Sequence, residues 1–349
     1  MRKEGHHYGL HRVVEPAGVL PQPAWKLDAT SEIWENELLI DVERLNIDSA
    51  SFQQLKTEAE GDPERIKRRI VEIVKERGKM HNSVTGSGGM LIGTVAEVGS
   101  AFPDQTLAPG AKIASLVSLT LTPLWLEDVR ELSLETGQLE VSGKAVLFAS
   151  APYAVLPSDM PEPVALAALD VCGAPAQTAR LVQPTDTVVI MGAGGKSGLL
   201  SLYQAWKKAG QQGCVIALEA NPEACRRIEA MGLAHHVVCL DATDPLQVLE
   251  TVSTLTRGRL ADVTINCVNV PRSELPAILA TQEGGVVVFF SMAVQFTTAA
   301  LGAEGVGKDV QMMIGNGYVP GHAALALESL RECPALYDWF CQRFSSQIG

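Results

Sequence analysis

The sequence predicts an α/β chain in which a β domain precedes a doubly wound parallel sheet. Three observations predict it. Val188, Val189, Ile190 and Met191 form a short unbroken apolar run of the kind buried on both faces of a parallel sheet, and a glycine-dense turn, GAGGKSG, follows at once. From residue 161 onward, helical and strand-like stretches alternate regularly. Before residue 161 that alternation is missing, and strand-like runs are punctuated by proline and glycine turns.

At 349 residues with 46% apolar side chains, the chain is long enough for two domains with substantial cores. We expect a first domain over 1–160, a second over 161–320, and helices over 321–349 that pack back on the body. The formal charge of −12 argues against a nucleic-acid or anionic-membrane partner. The amino-terminal stretch MRKEGHHYGLHR has no apolar core of a signal peptide, and no long apolar run occurs, so the expectation is a soluble cytoplasmic protein. The seven cysteines, Cys172, Cys214, Cys225, Cys239, Cys267, Cys333 and Cys341, all lie in the second half without a CxxC pair. Several sit in apolar runs, where free cysteine behaves as a small hydrophobe.

Taken in order, residues 12–47 read as β structure broken by Pro16, Pro21 and Pro23. The segment 37–45, ELLIDVERL, is a strand leading into a loop over 46–52. Asp62 and Pro63 then make an N-cap and a first helical position, Ile66, Ile70, Ile73 and Val74 mark one face, and Gly78 stands at the far end, which predicts an inserted amphipathic helix over 62–78. Its Lys67, Arg68, Arg69 run is a solvated side. The sequence TGSGG over 85–89 is a loop or a backbone-lined floor for a substrate, followed by the strand-like MLIGTVAEVGS. A turn at Pro109 and Gly110 leads into the apolar run 112–121.

In the second half we expect a helix over 164–182, then strands at 187–191, 214–219, 236–239, 262–268 and 285–291 with helices between them, and a last strand at 310–314 reached from 285–291 through a loop. The tail after Pro320 is helical, with Leu325, Leu327, Leu330, Leu336, Trp339 and Phe340 as packing positions.

The turn after 187–191 opens a helix, so its free N–H groups and positive dipole end suit an anion. A P-loop would need an earlier glycine where Ile190 stands. The dinucleotide pattern fits better at Gly192 and Gly194, although its third position is Ser197, with Gly198 one step later. Gly195 and Lys196 complete the loop. Glu219 ends the next apolar strand about twenty residues on, where a carboxylate holds a ribose diol. That carboxylate favours NAD over NADP, while Lys196 and Arg226 leave the preference open. Ligands bind beyond the carboxyl ends of parallel strands, which adds Cys267, Val268, Asn269 and Ser291 to the cofactor set.

A β domain, then a helix carrying CGAPAQTARL, then VQPTDTVVIMGAGG resembles the medium-chain dehydrogenase/reductase architecture, a Rossmann domain joined to an amino-terminal GroES-like domain. The resemblance implies a nicotinamide in the cleft between domains. The zinc branch of that architecture needs a cysteine where NIDSASF has Asp48 and a His-Glu pair where Gly89 and Met90 stand. Only Cys172 falls near a ligand position, so we expect no metal.

The blocks HRVVEPAGVLPQPAWK, LNIDSASF, VTGSGGMLIGTV, LVSLTLTPL, ALDVCGAPAQ, INCVNVP and ALGAEGVGKD are similar to the L-erythro-3,5-diaminohexanoate dehydrogenase family of anaerobic lysine fermentation. What this implies is NAD-dependent oxidative deamination of a diamino acid, and a homodimer. Hydride leaves only from a neutral amine, so the reaction needs a base. Asp48 on its loop and Glu304 in the loop LGAEGVGKD are the candidates, with Lys308 binding the carboxylate or shuttling protons. Ser49, Ser51 and His81 are candidate proton relays, and Arg12 a candidate carboxylate clamp. Each of these reads equally as a capping, loop or surface residue. Two other readings of the chain are a zinc-free NADPH-dependent quinone or enone reductase and a non-catalytic NAD-binding protein.

Overall fold

In a computed structural model, residues 3–315 and 317–345 are described. The chain forms two compact units, Met1–Leu166 with the chain end from Phe344, and Ala167–Arg343.

The first unit contains β1 (Val13–Glu15), β2 (Lys26–Leu27), β3 (Glu37–Asn46), α1 (Ser49–Glu58), α2 (Pro63–Arg77), β4 (Met90–Val98), β5 (Lys112–Ser115), β6 (Leu124–Leu132), β7 (Gln138–Phe148) and β8 (Tyr153–Val155). Six of its strands form one antiparallel sheet in the order β6-β7-β3-β4-β5-β8. The inner face of β3 supplies Leu38, Ile40, Val42 and Leu45 to a core closed by Ile66, Ile70, Ile73 and Val74 of α2. The caps of α2 are local: the Asp62 side chain accepts from the N–H groups of Glu64 and Arg65, Pro63 occupies the first turn, and Gly78 ends the helix at φ 64°. A Cβ on Gly78 would stand 2.1 Å from the Leu27 carbonyl oxygen, so glycine is required there twice over.

Two expectations change here. The expected loop over 46–52 gives way at Ser49 to a helix over 49–58, because Asp48 caps it: its Oδ1 accepts the Ser51 N–H at 3.0 Å. Arg12 is no surface charge and no free clamp. It is 1% exposed, and all five of its N–H groups face acceptors: both oxygens of Glu37, the Asp28, Thr30 and Glu32 carbonyls and the Thr30 hydroxyl. Burial pushes the Glu37 carboxyl up, yet His11, Arg12 and the Trp34 N–H together hold it down at about 2. The pair pins the amino-terminal segment onto the start of β3.

Across the boundary, α3 (Glu162–Leu169) and α4 (Gly173–Leu181) replace the single helix expected over 164–182. The break lies where Gly173 passes Gly317: a Cβ there would meet the Gly317 carbonyl oxygen at 2.4 Å.

The second unit continues with β9 (Thr187–Met191), α5 (Lys196–Ala209), β10 (Cys214–Glu219), α6 (Pro222–Met231), β11 (His236–Cys239), α7 (Pro245–Thr256), β12 (Ala261–Asn266), α8 (Glu274–Ala280), β13 (Thr281–Phe289), α9 (Phe296–Val306), β14 (Gln311–Ile314), α10 (His322–Glu332) and α11 (Pro334–Phe344). Its six strands are all parallel in the order β11-β10-β9-β12-β13-β14. The chain therefore winds outward from β9 in both directions, and the point of reversal lies between β9 and β12, the Rossmann arrangement. Val188, Val189, Ile190 and Met191 are fully buried, each worth about 1.5–3 kcal/mol of burial, as an unbroken apolar run in a central strand requires. Helix α10 packs on α4 and α5, where Glu332 accepts from Tyr203 and Lys207 and Ser329 from Gln204.

Candidate active site

Beyond the carboxyl end of β9 the chain turns through Gly192 at φ 70°, where a Cβ would come within 3.0 Å of the Val268 nitrogen. Gly194 lies against β10 and α6: its N–H donates to Glu219 Oε2 at 2.8 Å, and a Cβ would meet Ala224 Cβ at 2.7 Å. Gly198 sets helix on strand, since a Cβ there would stand 2.2 Å from the Gly192 carbonyl oxygen. The close-packing role of the pattern's third glycine thus falls to Gly198, one residue past Ser197.

Gly195 is the N-cap of α5. It has no side chain to cap the helix, and a Cβ on it would meet nothing within 4 Å. First-turn amides and the positive end of the helix dipole therefore open onto free space above the loop, a cradle for a pyrophosphate. Lys196 is paired with Asp170, from the turn between α3 and α4, at 2.6 Å. Glu219 uses Oε2 on Gly194 and Oε1 on the Asn221 N–H, at 2.9 Å, so its carboxylate is fixed at the end of β10 with acceptor capacity left. Arg227 braces the loop from α6, its Nη2 donating to the Gly194 carbonyl at 3.2 Å. These residues fit a dinucleotide.

The other expected cofactor residues share this edge. The Cys267 N–H donates to the Met191 carbonyl, the Val268 N–H to Asn266 Oδ1, and the Ser291 hydroxyl to Asn269 Oδ1 at 3.3 Å. Burial pushes the Cys267 thiol up to about 11. Asn266, buried and bonded to Ser273, orients the turn after β12 and was not singled out from sequence.

The surroundings of Glu304 and Lys308 differ from the expected loop. Glu304 lies exposed in the last turn of α9, a helix where a loop was expected. Lys308 follows the C-cap Gly307, with its ammonium 4.0 Å from the Glu283 carboxylate near the start of β13. From Glu283 to Phe289 the strand climbs roughly 20 Å, so both residues stand at the amino edge of the sheet, away from the glycine loop. Gly302 and Gly305 lie within the helix and Gly307 ends it at φ 63°, a glycine spacing that resembles a loop in sequence.

In the first unit, Asp48, Ser51, Asn82 and Thr85 come together. Asp48 Oδ2 is buried with no partner, while its Oδ1 caps α1. Ser51 is fully buried, and its hydroxyl shares a 2.5 Å hydrogen bond with that of Thr85. Asn82 donates to Gln54 Oε1 at 2.8 Å. Gly89 seats the TGSGG loop against this turn: a Cβ there would meet the Asn46 carbonyl oxygen at 2.0 Å. Ser49 is exposed at the first position of α1.

His81 Nδ1 is also buried without a partner. Burial first, then the Lys79 and Arg77 charges, drive the imidazole down to about 4, so it is neutral at physiological pH. Lys79, which sequence reasoning missed, is fully buried and donates to the Pro21 and Gln22 carbonyls at 2.7 and 2.9 Å. Burial, with Arg77 adding to it, brings its ammonium down to about 7. Nothing local marks Lys79 as buried, because its acceptors lie 58 and 57 residues away in sequence.

Among the described residues no three of His, Cys, Asp and Glu converge as metal ligands. Cys172 is buried beside Asp170, and burial followed by that charge pushes its thiol up to about 12.

Comparison with known proteins agrees with this layout. Solved structures of similar fold include the CurK enoyl reductase, with a TM-score of 0.58 at 15% identity over 100% of this chain and 90% of that one. An alcohol dehydrogenase from Thermotoga maritima gives 0.56 at 17% identity over 88% of this chain and 85% of that one. Such identities establish the fold alone, the two-part α/β architecture of these enoyl reductases and alcohol dehydrogenases. Residues 11–157 match the family described as L-erythro-3,5-diaminohexanoate dehydrogenase N-terminal domain. A protein of Fusobacterium nucleatum named L-erythro-3,5-diaminohexanoate dehydrogenase is 53% identical over 97% of this chain and 98% of its own length. One of the same name from Acetoanaerobium sticklandii is 52% identical over 94% and 96%. With agreement at that level along nearly the whole sequence, the chain belongs to the L-erythro-3,5-diaminohexanoate dehydrogenase family.

Proposed function

We propose that this protein catalyses the NAD-dependent oxidative deamination of L-erythro-3,5-diaminohexanoate to 5-amino-3-oxohexanoate and ammonium, a step of lysine fermentation. The observation that carries the reading is the identity of just over half to two dehydrogenases of that name along almost the full chain.

A dinucleotide, when bound, supplies the hydride acceptor. Gly194, Gly195 and the first turn of α5 hold its pyrophosphate and Glu219 its ribose diol, with Asn269 and Ser291 along the same edge. NAD rather than NADP is supported by the Glu219 carboxylate, which repels a 2′-phosphate, and by the commitment of Lys196 to Asp170, which removes one cation from that task. The bases act on protons. Asp48 Oδ2, buried and without a partner, takes a proton from the 3-ammonium group so that hydride can leave the same carbon. His81, neutral and with Nδ1 unpartnered, is the group for activating water against the resulting imine, after which ammonium departs. No metal enters this scheme, because the loop positions that would supply zinc ligands carry Asp48, Gly89 and Met90, which leaves Cys172 alone where a catalytic zinc needs three protein ligands.

A homodimer in the cytoplasm completes the proposal from resemblance; no helix among the described residues is long and apolar enough to cross a membrane. The test is to supply purified protein with the diamino acid and NAD and to follow reduced nicotinamide and ammonium together. Equal amounts of both are expected, with NADP a poor substitute. Reduction of an enone or quinone by NADPH, with no turnover of the amine, would overturn the reading.

A further inference from the structure

All seven cysteines are free, and two of them are neighbours beside the cofactor carboxylate. Cys225, on the first turn of α6, donates its S–H to the Glu219 carbonyl at 3.4 Å. Cys239, which ends β11 opposite Glu219 in the parallel register, donates to the Ala220 carbonyl at 3.6 Å. The two acceptors are consecutive carbonyls, which brings the two thiols side by side at the end of β10. Cys239 is exposed while Cys225 is buried beneath it.

We infer that Cys225 and Cys239 form a dithiol site which hydrogen peroxide closes into a disulfide, weakening dinucleotide binding through Glu219. The exposed Cys239 reacts first. Its thiolate attacks one peroxide oxygen, the O–O bond breaks, and hydroxide leaves and picks up the proton the thiol had released, giving a sulfenic acid and water. Cys225 is the resolving partner: burial above all holds its thiol up at about 12, so it stays protonated and inert until a sulfenic acid stands beside it. The Cys225 sulfur then displaces the sulfenic hydroxyl, which departs with the Cys225 proton as a second water. Two thiols have lost two electrons, and one peroxide has become two waters.

The consequence for the cofactor is geometric. Bonding draws the sulfurs to about 2.05 Å and removes both S–H donors. The Glu219 carbonyl keeps the Leu240 N–H at 3.0 Å, but the chain carrying the Glu219 carboxylate, and through it Gly194, must shift with the sulfurs. Coupling to NAD rests on Glu219 being a dinucleotide ligand, whereas disulfide formation does not, so the two can fail separately.

The reduced full-length protein is treated with hydrogen peroxide and followed by thiol titration, intact mass and non-reducing peptide mapping. Two of the seven thiols are expected to disappear, with loss of two hydrogens and a crosslink between the peptides holding Cys225 and Cys239. The KM for NAD should rise several-fold at unchanged kcat and return on treatment with a dithiol reductant. Cys225→Ser should stop at a sulfenic acid on Cys239 that dimedone traps, and Cys239→Ser should abolish both crosslink and KM change. Crosslinks among other cysteines, oxidation of Cys239 past the sulfenic acid in the unmutated protein without a crosslink, or a crosslinked enzyme with its NAD KM unchanged would overturn the inference.

Discussion

Placing aspartate at Gly195 should move stability and cofactor affinity in opposite directions. A Cβ at this position meets nothing within 4 Å, and the backbone, at φ −87° and ψ 177°, suits any residue, so Gly195→Asp enters without strain. In the protein as it stands, α5 has no side-chain cap. An aspartate N-cap adds a few tenths of a kcal/mol over glycine, and its charge at the positive end of the dipole about 0.3–1 kcal/mol more. Unfolding by urea should therefore show a gain of about 0.5–1 kcal/mol. The same carboxylate would now occupy the amides that a pyrophosphate needs. A unit charge about 4 Å from a like charge, at an effective dielectric near 20, costs about 4 kcal/mol. At about 1.4 kcal/mol per tenfold, the NAD dissociation constant should rise between roughly a hundredfold and a thousandfold. Isothermal titration of the folded variant reads that number directly. A variant that is more stable yet binds NAD as before would refute the assignment of the loop, and one that is destabilised would refute the cap argument.

Gly198→Ala drives a Cβ to 2.2 Å from the Gly192 carbonyl oxygen. Overpacking of about 1–3 kcal/mol, less up to about 1 kcal/mol of helix propensity, should lower stability in urea, and lifting α5 off the loop should raise the KM for NAD. Asp48→Asn keeps an equally good N-cap, so stability should hold within about 0.5 kcal/mol while kcat falls by about 10²–10⁴; a variant that turns over normally removes Asp48 as the base. Glu304→Gln and Lys308→Met, at the amino edge of the sheet, should leave kcat/KM unchanged, and a large loss in either would return catalysis to that edge. Lys79 gives a pH dependence: its ammonium is brought from 10.5 down to about 7 on folding, so below pH 7 both states carry the proton and the full cost of burying the charge is present. Between pH 7 and 10.5 the unfolded chain binds more protons, so this contribution to stability improves as pH rises, by on the order of 5 kcal/mol at most. Denaturant midpoints measured across that window should climb in the native protein and climb less in Lys79→Met; equal slopes would show that Lys79 does not titrate there.

What the sequence made legible follows from how locally each feature is encoded. The glycine loop needs only its own residues, since a positive φ at Gly192 and backbone contacts at Gly194 and Gly198 forbid side chains at fixed spacing, and the caps of α2 lie within a turn of the helix they end. The doubly wound parallel sheet likewise follows from an alternation that admits few topologies. Residues whose roles depend on distant partners were read less well. Arg12 looks like any basic residue near a terminus until Glu37 and the 28–32 carbonyls close around it, and Lys79 looks like the solvated end of an amphipathic helix until Pro21 and Gln22 arrive. The break between α3 and α4 depends on Gly317, which passes Gly173 from far along the chain. Asp48 shows why candidate chemistry is the hardest part to read: one of its oxygens does the ordinary work of a cap, and only the packing of the turn around it leaves the other buried and unpaired. A buried carboxylate oxygen without a partner is costly to keep, about 1–3 kcal/mol or more, and a fold that already has its cap from Oδ1 gains nothing structural from it. That cost is intelligible if a substrate ammonium completes the arrangement, which is why the asparagine variant, isosteric and cap-competent, separates the two roles of this one side chain.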